Sequence, residues 1–383
     1  MQQRIGILGS TGSIGRSTLD VIDHLVPRCQ VIALAAGSRA QELARQARKY
    51  RPAYVAIADG SRVEELSGVL AGDVIVLNGE GALVELVEKS SCDCVVAAVV
   101  GAAGLPATLR AVELGKTVAV ANKEILVIAG SILMPLARRT RARLIPIDSE
   151  HSAIYQAMHA GRRCEVSKVY LTASGGPFRT APVEVMRSAT LADALDHPTW
   201  SMGPKTTIDS ATMMNKAMEI IEAKWLFDLR PDQIEVVVHP ESIIHSLVEF
   251  CDGSIVAQLG TPDMRTPIQY ALTYPERFPC RSEPLDLVRT GQMNFHAPDF
   301  ERFPALGLGY EAARRGGTAG AVLNAANETA VELFRRGEIR FGEIVELNQE
   351  VSRRHEFVAE PTLEQLLAAD RWARSEVNQC VTC

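Results

Sequence analysis

The chain has 383 residues, 47% of them hydrophobic and 22% charged, so it reads as a globular chain of two or three domains at about 150 residues each, not a disordered one. Forty lysines and arginines against 46 acids leave a net charge of −6, which speaks against a general nucleic-acid binder. No apolar run approaches the roughly 18–20 residues that cross a bilayer, so no membrane partner is expected.

Met1-Gln2-Gln3-Arg4-Ile5 runs directly into a strand-like segment and lacks the regions of a signal peptide, so a cytoplasmic location is expected. Seven short apolar runs follow, at 5–8, 31–35, 54–58, 74–77, 94–98, 117–121 and 144–147, with helical spacing such as Thr18, Leu19, Ile22 and Leu25 between them. Apolar runs with helical connectors predict a parallel sheet in a doubly wound α/β domain. After the first run comes Gly9-Ser10-Thr11-Gly12-Ser13-Ile14-Gly15 and then a helical stretch. A strand, a glycine-rich turn and a helix open a Rossmann unit and bring backbone amides to a pyrophosphate, although the spacing is G-x-x-G-x-x-G. A tight structural turn is the plain alternative.

The second run ends Gly37-Ser38-Arg39, with no acid to take a ribose 2′-hydroxyl. Serine and arginine suit a 2′-phosphate, which favours NADPH over NADH; Ser38 also suits the N-cap of the next helix. Cys92 and Cys94 flank Asp93, and the eight cysteines are too dilute for a disulfide scaffold. They read as reduced thiols. Asn122-Lys123-Glu124 ends the sixth run at the carboxyl edge of the sheet, where ligands bind in such folds, or simply starts a helix.

Asp148-Ser149-Glu150 closes the seventh run. If these residues stay extended, both carboxylates point the same way and suit a divalent cation; capping a helix near His151 explains them equally well. The loops 172–178 and 197–204 carry Ser174 beside two glycines, and His197, Trp200 and Met202 between two prolines. The second suits a lid with an exposed tryptophan, unless Trp200 packs into the core. Residues 209–219 read as one helix, with Ser210 toward its start and Asn215, Lys216 and Glu219 on one face. That face could hold a phosphate and complete a cation site with Asp148 and Glu150, or carry only a surface Lys216–Glu219 salt bridge.

Segments 236–238, 246–250 and 254–259 read as antiparallel strands, the last two around Asp252-Gly253, and their hydrophobic alternation suits a subunit interface. Prolines then punctuate the chain, and 276–303 reads as a linker. Beyond 304 come helical stripes: Leu323, Ala326, Ala330, Leu333 and Phe334 before a C-cap Gly337, then Ile344, Leu347 and Val351. Thr362 and Gln365 form a capping box, and Cys380 and Cys383 a C-x-x-C without a second ligand pair. The expected architecture is α/β: an N-terminal Rossmann-like parallel-sheet domain over 1–148, a central α+β catalytic domain over 149–275, and a small helical bundle over 304–383.

GSTGSIG at 9–15, ANKE at 121–124, PIDSEH at 146–151, SGGPF at 174–178, HPTWSMG at 197–203 and NKAMEIIEA at 215–223 stand in this order, followed by VHPESIIHSLVEF and PDMRTP. Together they resemble the 1-deoxy-D-xylulose 5-phosphate reductoisomerase family. The resemblance implies a homodimer that converts 1-deoxy-D-xylulose 5-phosphate to 2-C-methyl-D-erythritol 4-phosphate in non-mevalonate isoprenoid biosynthesis. It implies NADPH and a divalent cation (Mg, Mn or Co) as cofactors, with Asp148, Glu150 and Glu219 as metal ligands. Lys123, Ser149, Glu150, His197, Trp200 and Glu219 fall to the substrate, and Ser174, Ser210, Asn215 and Lys216 to its phosphate. The cofactor falls to Thr11, Gly12, Ser13, Ile14, Gly37, Ser38, Arg39, Asn122, Glu124 and Gly203. The resemblance also implies fragmentation and recombination of the carbon skeleton, then hydride delivery to an aldehyde. Ser38-Arg39 departs from the family's usual Lys-Asn but keeps a cation, and Cys380 and Cys383 match no family site. Other readings are a semialdehyde or homoserine dehydrogenase, which needs no three-acid site, and a nucleotide sensor, which needs neither Lys123 nor Lys216.

Overall fold

The computed structural model describes residues 2–67, 70, 72, 74–200 and 202–382. Ser201 of the expected lid and Cys383 of the C-x-x-C lie outside the described residues. The seven apolar runs form β1 (Gln3–Leu8), β2 (Cys29–Ala36), β3 (Tyr54–Ile57), β4 (Ile75–Asn78), β5 (Cys94–Ala97), β6 (Thr117–Val120) and β7 (Leu144–Pro146). They make one sheet in the order β4-β3-β2-β1-β5-β6-β7, with every pairing parallel. Strands buried on both faces need apolar side chains throughout, and Ile5, Ile7, Val95 and Val96 have no exposed surface. Strand order reverses between β1 and β5, so the glycine-rich turn after β1 stands at the switch point where doubly wound sheets bind ligands.

A second sheet is built from β8 (Val166–Ala173), β9 (Ile234–Val238), β10 (Ile244–Phe250) and β11 (Ile255–Leu259), in the order β11-β10-β8-β9. The β10–β11 hairpin is antiparallel, as expected. The expectation for 236–238 needs correcting: β9 does not pair with β10 but lies parallel to β8, whose other edge β10 takes. Alternation along a strand reports which face is buried, not which neighbour it bonds.

The chain divides into two compact units. The first holds 1–125, 133–152 and 263–283, so the helix Arg265–Thr273 belongs with the parallel sheet. The second holds 126–132, 153–262 and 284–383, so the mixed sheet and the C-terminal helices share one core. Within the stretch expected as a linker, the short helix Leu287–Thr290 starts at a capping Asp286, and His296 bridges to Val238. The C-terminal helices are Ala305–Arg315, Ala319–Arg335, Phe341–Arg354 and Leu363–Thr382. Gly337 follows the second with a φ of +74°. Thr362 and Gln365 bond reciprocally, closing the predicted capping box. Phe341 stands edge-on to Phe334 at 5.6 Å and to Phe178 at 5.0 Å, which fixes the SGGPF loop to this core.

Candidate active site

The turn after β1 is shaped by two steric limits. A Cβ on Gly9, whose φ is +89°, would stand 2.4 Å from the Ala98 carbonyl oxygen, and one on Gly15 would stand 2.3 Å from the Gly9 carbonyl oxygen. Only glycine permits this approach of turn and helix. Gly12 then serves as N-cap of the helix Ser13–His24, whose first turn holds no acid to compete with an anion. Arg39 donates from Nη1 to the Thr11 carbonyl at 3.0 Å, so the cation expected near a 2′-phosphate leans over this turn. Arg39, not Ser38, is the N-cap of the helix Ala40–Tyr50, and no side chain caps it there; this corrects the capping role expected of Ser38. A Cβ on Gly37 would meet nothing within 4 Å. Sequence reasoning missed Gln46, which is buried and exchanges two hydrogen bonds with Ser10, at 2.7 and 3.0 Å. Its only signal is a polar residue on an apolar helix face.

Asn122 follows β6. Its amide nitrogen donates to the carbonyls of Val99 and Gly101, while its buried Oδ1 has no hydrogen-bond partner. A buried orphan acceptor costs about 1–3 kcal/mol, so this oxygen calls for a donor from outside the chain. Lys123 is the N-cap of the helix Glu124–Thr140, and its ammonium sits 2.5 Å from an Asp148 oxygen. Both side chains are largely buried. Glu124 is buried as well.

Asp148 does not continue as a strand. The helix Ser149–Ala157 starts at once, and its Ser152 amide donates to the Asp148 carbonyl at 2.8 Å. The extended geometry expected for 148–150 is therefore corrected: Asp148 and Glu150 flank a helix start, where carboxylates are favoured. Ser149 donates to Glu150 at 2.5 Å.

In the second unit, the loop after β8 meets the His197 loop. The Ser174 hydroxyl lies 3.0 Å from His197 Nε2, and the Gly176 amide donates to the same hydroxyl. His197 Nδ1 accepts from the Thr199 and Trp200 amides at 3.2 and 2.9 Å. An Nδ1 that accepts twice carries no proton, so the proton sits on Nε2 and is donated to Ser174. Burial also holds the imidazole below its ordinary pKa, in keeping with a neutral ring. Trp200 is half-buried, 6.2 Å from the His245 ring. It is thus neither the fully exposed residue expected of a lid nor a core side chain, and Met202 is half-buried too. Gly203 is the N-cap of the helix Pro204–Ala211.

The single helix expected over 209–219 is two helices, Pro204–Ala211 and Met214–Phe227. Thr212 bonds back to the Ile208 and Asp209 carbonyls and accepts from the Met214 amide, while Met213 takes the left-handed φ of +61°. Ser210 therefore ends one helix while Asn215 and Lys216 begin the next. Helical periodicity could not show this, because a one-residue left-handed break leaves the apolar spacing nearly intact. Glu219 has no exposed surface and accepts from Asn215 at 2.5 Å and from Lys216, itself only 3% exposed. A surface salt bridge is thereby excluded. Burying both charges costs several kcal/mol per ion, a cost that a surface pair never carries.

Models of the 1-deoxy-D-xylulose 5-phosphate reductoisomerase family match residues 5–130, and models of its C-terminal domains match 144–227 and 259–376. The chain is 49% identical over 388 aligned residues to the reductoisomerase of Pseudomonas aeruginosa, covering 99% of this chain and 98% of that one. It is 50% identical to the enzyme of Pelotomaculum thermopropionicum, with 97% of each covered. Among solved structures, the Zymomonas mobilis enzyme in complex with NADPH superposes with a TM-score of 0.94 at 44% identity, covering 100% and 99% of the two chains. A reductoisomerase in complex with NADPH, fosmidomycin and magnesium superposes with a TM-score of 0.93 at 42% identity, covering 99% and 98%.

Proposed function

The chain belongs to the 1-deoxy-D-xylulose 5-phosphate reductoisomerase family, and from that membership we propose how its residues divide the reaction. The reaction is the NADPH- and divalent-cation-dependent isomeroreduction of 1-deoxy-D-xylulose 5-phosphate to 2-C-methyl-D-erythritol 4-phosphate, a step of isoprenoid biosynthesis. When bound, NADPH supplies the hydride and the cation supplies Lewis acidity toward substrate oxygens.

The residues present fit both groups. Thr11, Gly12, Ser13 and Ile14 offer backbone at a helix start for the pyrophosphate, and Gly37, Ser38 and Arg39 stand at the 2′-phosphate. Asn122, whose buried Oδ1 has no partner, joins Glu124 and Gly203 on the rest of the dinucleotide. Asp148, Glu150 and Glu219 form an all-oxygen donor set suited to Mg²⁺ or Mn²⁺, with Co²⁺ accepted. In this reading Lys123 pairs with Asp148 and polarises substrate oxygens beside Ser149. Ser174, Ser210, Asn215 and Lys216 take the substrate's phosphate. His197, neutral and donating to Ser174, turns that hydroxyl's own proton toward the same anion. Trp200 and Met202 cover the substrate and exclude water.

The observation that carries the reading is the Asn215–Lys216–Glu219 cluster, a carboxyl group without exposed surface that accepts from an amide and an ammonium. NADPH oxidation at 340 nm with 1-deoxy-D-xylulose 5-phosphate, with and without Mg²⁺, tests it. A loss of absorbance that needs the cation is expected, and cation-independent turnover would refute the metal assignment.

In the same reading residues 1–148 bind NADPH and 149–275 supply catalysis and dimerisation, while by packing the helix Arg265–Thr273 goes with the parallel sheet and the helices of 304–383 share the core of the mixed sheet beyond the connecting 276–303. The enzyme is a homodimer. Supporting this, β11 lies at a sheet edge with Ile255 about half exposed, an edge that a second copy would cover. A monomeric mass by light scattering would refute it. A cytoplasmic location is supported by the absence of disulfides among the described cysteines, and no described helix is long and apolar enough to cross a membrane.

A further inference from the structure

Asp209 precedes Ser210 in the chain, and its side chain is only 3% exposed. A carboxylate taken out of water needs donors on both oxygens. Lys205 supplies one, Nζ to Oδ2 at 2.9 Å, from one turn earlier in the same helix. Asn327 supplies the other, Nδ2 to Oδ1 at 2.7 Å, from the helix Ala319–Arg335 and 118 positions away in sequence. Because the carboxylate can only accept, Asn327 must turn its nitrogen toward it, which leaves its own oxygen facing Asn348. Asn348 in turn must present its nitrogen, and does so at 3.1 Å from the helix Phe341–Arg354. Asn327 and Asn348 have no exposed surface. The direction of every bond in this chain is therefore fixed by the charge at its end.

The same helix end is held at two further points. Thr212 donates to the Asp209 carbonyl at 3.2 Å, and the Met213 amide to the Ser210 carbonyl at 3.1 Å. Gly176, with φ at +66°, lies so close that a Cβ there would stand 2.6 Å from the Ser210 carbonyl oxygen. The break between the helices is thus fixed in place, and it lies between Ser210 at the end of one helix and Asn215 and Lys216 at the start of the next. An apolar core could fill this volume at lower cost than a desolvated carboxylate and two amides. What the polar chain adds is a direction and a register for the turn.

We propose that Asp209 is a positioning residue for the phosphate-binding turn and that Asn327 and Asn348, in the C-terminal helices, lock it in register. The inference rests on the assignment of Ser210, Asn215 and Lys216 to the substrate's phosphate. It gives the C-terminal helices a part in substrate affinity although none of their residues is assigned to the substrate.

The test is Asn327→Ala in the full-length enzyme, with inorganic phosphate as a competitive probe of the phosphate site. A turn displaced by a fraction of an ångström should raise KM for the substrate about tenfold, and the inhibition constant for inorganic phosphate by a similar factor. It should leave kcat within about threefold and NADPH affinity unchanged. Asn348→Leu, one bond further out, should show the same split at about threefold, and serves if Asn327→Ala does not fold. Unchanged KM and phosphate inhibition in both variants would overturn the inference. So would a fall in kcat, NADPH affinity and melting temperature together, the mark of a merely structural role. Lys216→Ala separates the inference from its premise. If that variant weakens phosphate inhibition while Asn327→Ala and Asn348→Leu do not, only the positioning role fails. If Lys216→Ala leaves phosphate inhibition intact, the phosphate assignment falls and takes the inference with it.

Discussion

In the proposed reading, the turn after β1 and the Pro204–Phe227 helix pair each hold an anion, by opposite means. The first is made of backbone. Its glycines clear space, its helix start offers amides, and Arg16 and Arg39, both donating to the Thr11 carbonyl, add nearby charge. The second is made of buried side chains, where Lys216, Glu219, Lys205 and Asp209 are held in two ion pairs largely out of water. A backbone site tolerates side-chain change but no added volume, whereas a side-chain site tolerates neither a lost charge nor a lost partner.

The largest effect that would break this contrast is at Glu219. Glu219→Gln should reduce cation-dependent kcat/KM by about 10³-fold while NADPH affinity, measured by fluorescence, is kept. It also leaves Lys216 buried against a neutral amide, at about 3 kcal/mol and a lower melting temperature. Full activity in this variant would remove Glu219 from the metal site. On the backbone side, Gly15→Ala should raise the NADPH dissociation constant by about 10²-fold, because the new methyl meets the backbone oxygen of Gly9, which cannot move away without opening the turn. Wild-type affinity there would mean that the turn does not hold the pyrophosphate.

Arg39→Asp sharpens the contrast by testing one of the two arginines, Arg16 and Arg39, that bond the Thr11 carbonyl at the backbone site. NADPH should weaken by about tenfold more than NADH, as expected when a charge-assisted bond to a phosphate is lost. Equal losses for the two would make Arg39 structural, through its bond to Thr11. The smallest effect is at His197. Its pKa in the fold lies below its unfolded value of about 6.5, so the unfolded chain binds the proton first as pH falls. Its contribution to stability is then complete above about pH 6.5 and is lost as pH drops toward the depressed folded value. Protonation at Nδ1 also ends the bonds from the Thr199 and Trp200 amides, so substrate KM should rise over the same acid range. A His197→Gln variant with the wild-type acid limb would show that another group sets it.

Much of the fold was legible because it is written in local periods. Seven apolar runs with helical connectors require a parallel sheet, and glycine at 9, 12 and 15 requires a tight strand-to-helix turn. The motif order carried the family, and with it the identity of each candidate site residue. Composition and spacing alone left Asp148, Glu150, Lys216 and Glu219 balanced between chemistry and ordinary capping or surface pairing. Burial removed the surface-pair alternative for Lys216 and Glu219, and burial is not a local property.

What only the tertiary structure settled is of that kind. The left-handed Met213 divides one periodic stretch into two helices, because a single-residue reversal hardly disturbs the apolar spacing. β9 joins β8 in parallel and leaves β10 to the other edge, a choice of neighbour that alternation does not encode. Asp209 finds its second donor 118 residues away, on a helix whose own pattern marks Asn327 only as a polar residue on an apolar face. Sequence by itself determined which residue types could do the chemistry, since that is a matter of side-chain identity and short-range sterics. Which of them are buried and which partners they meet depended on long-range packing, where the cost of an unpaired buried charge selects one arrangement.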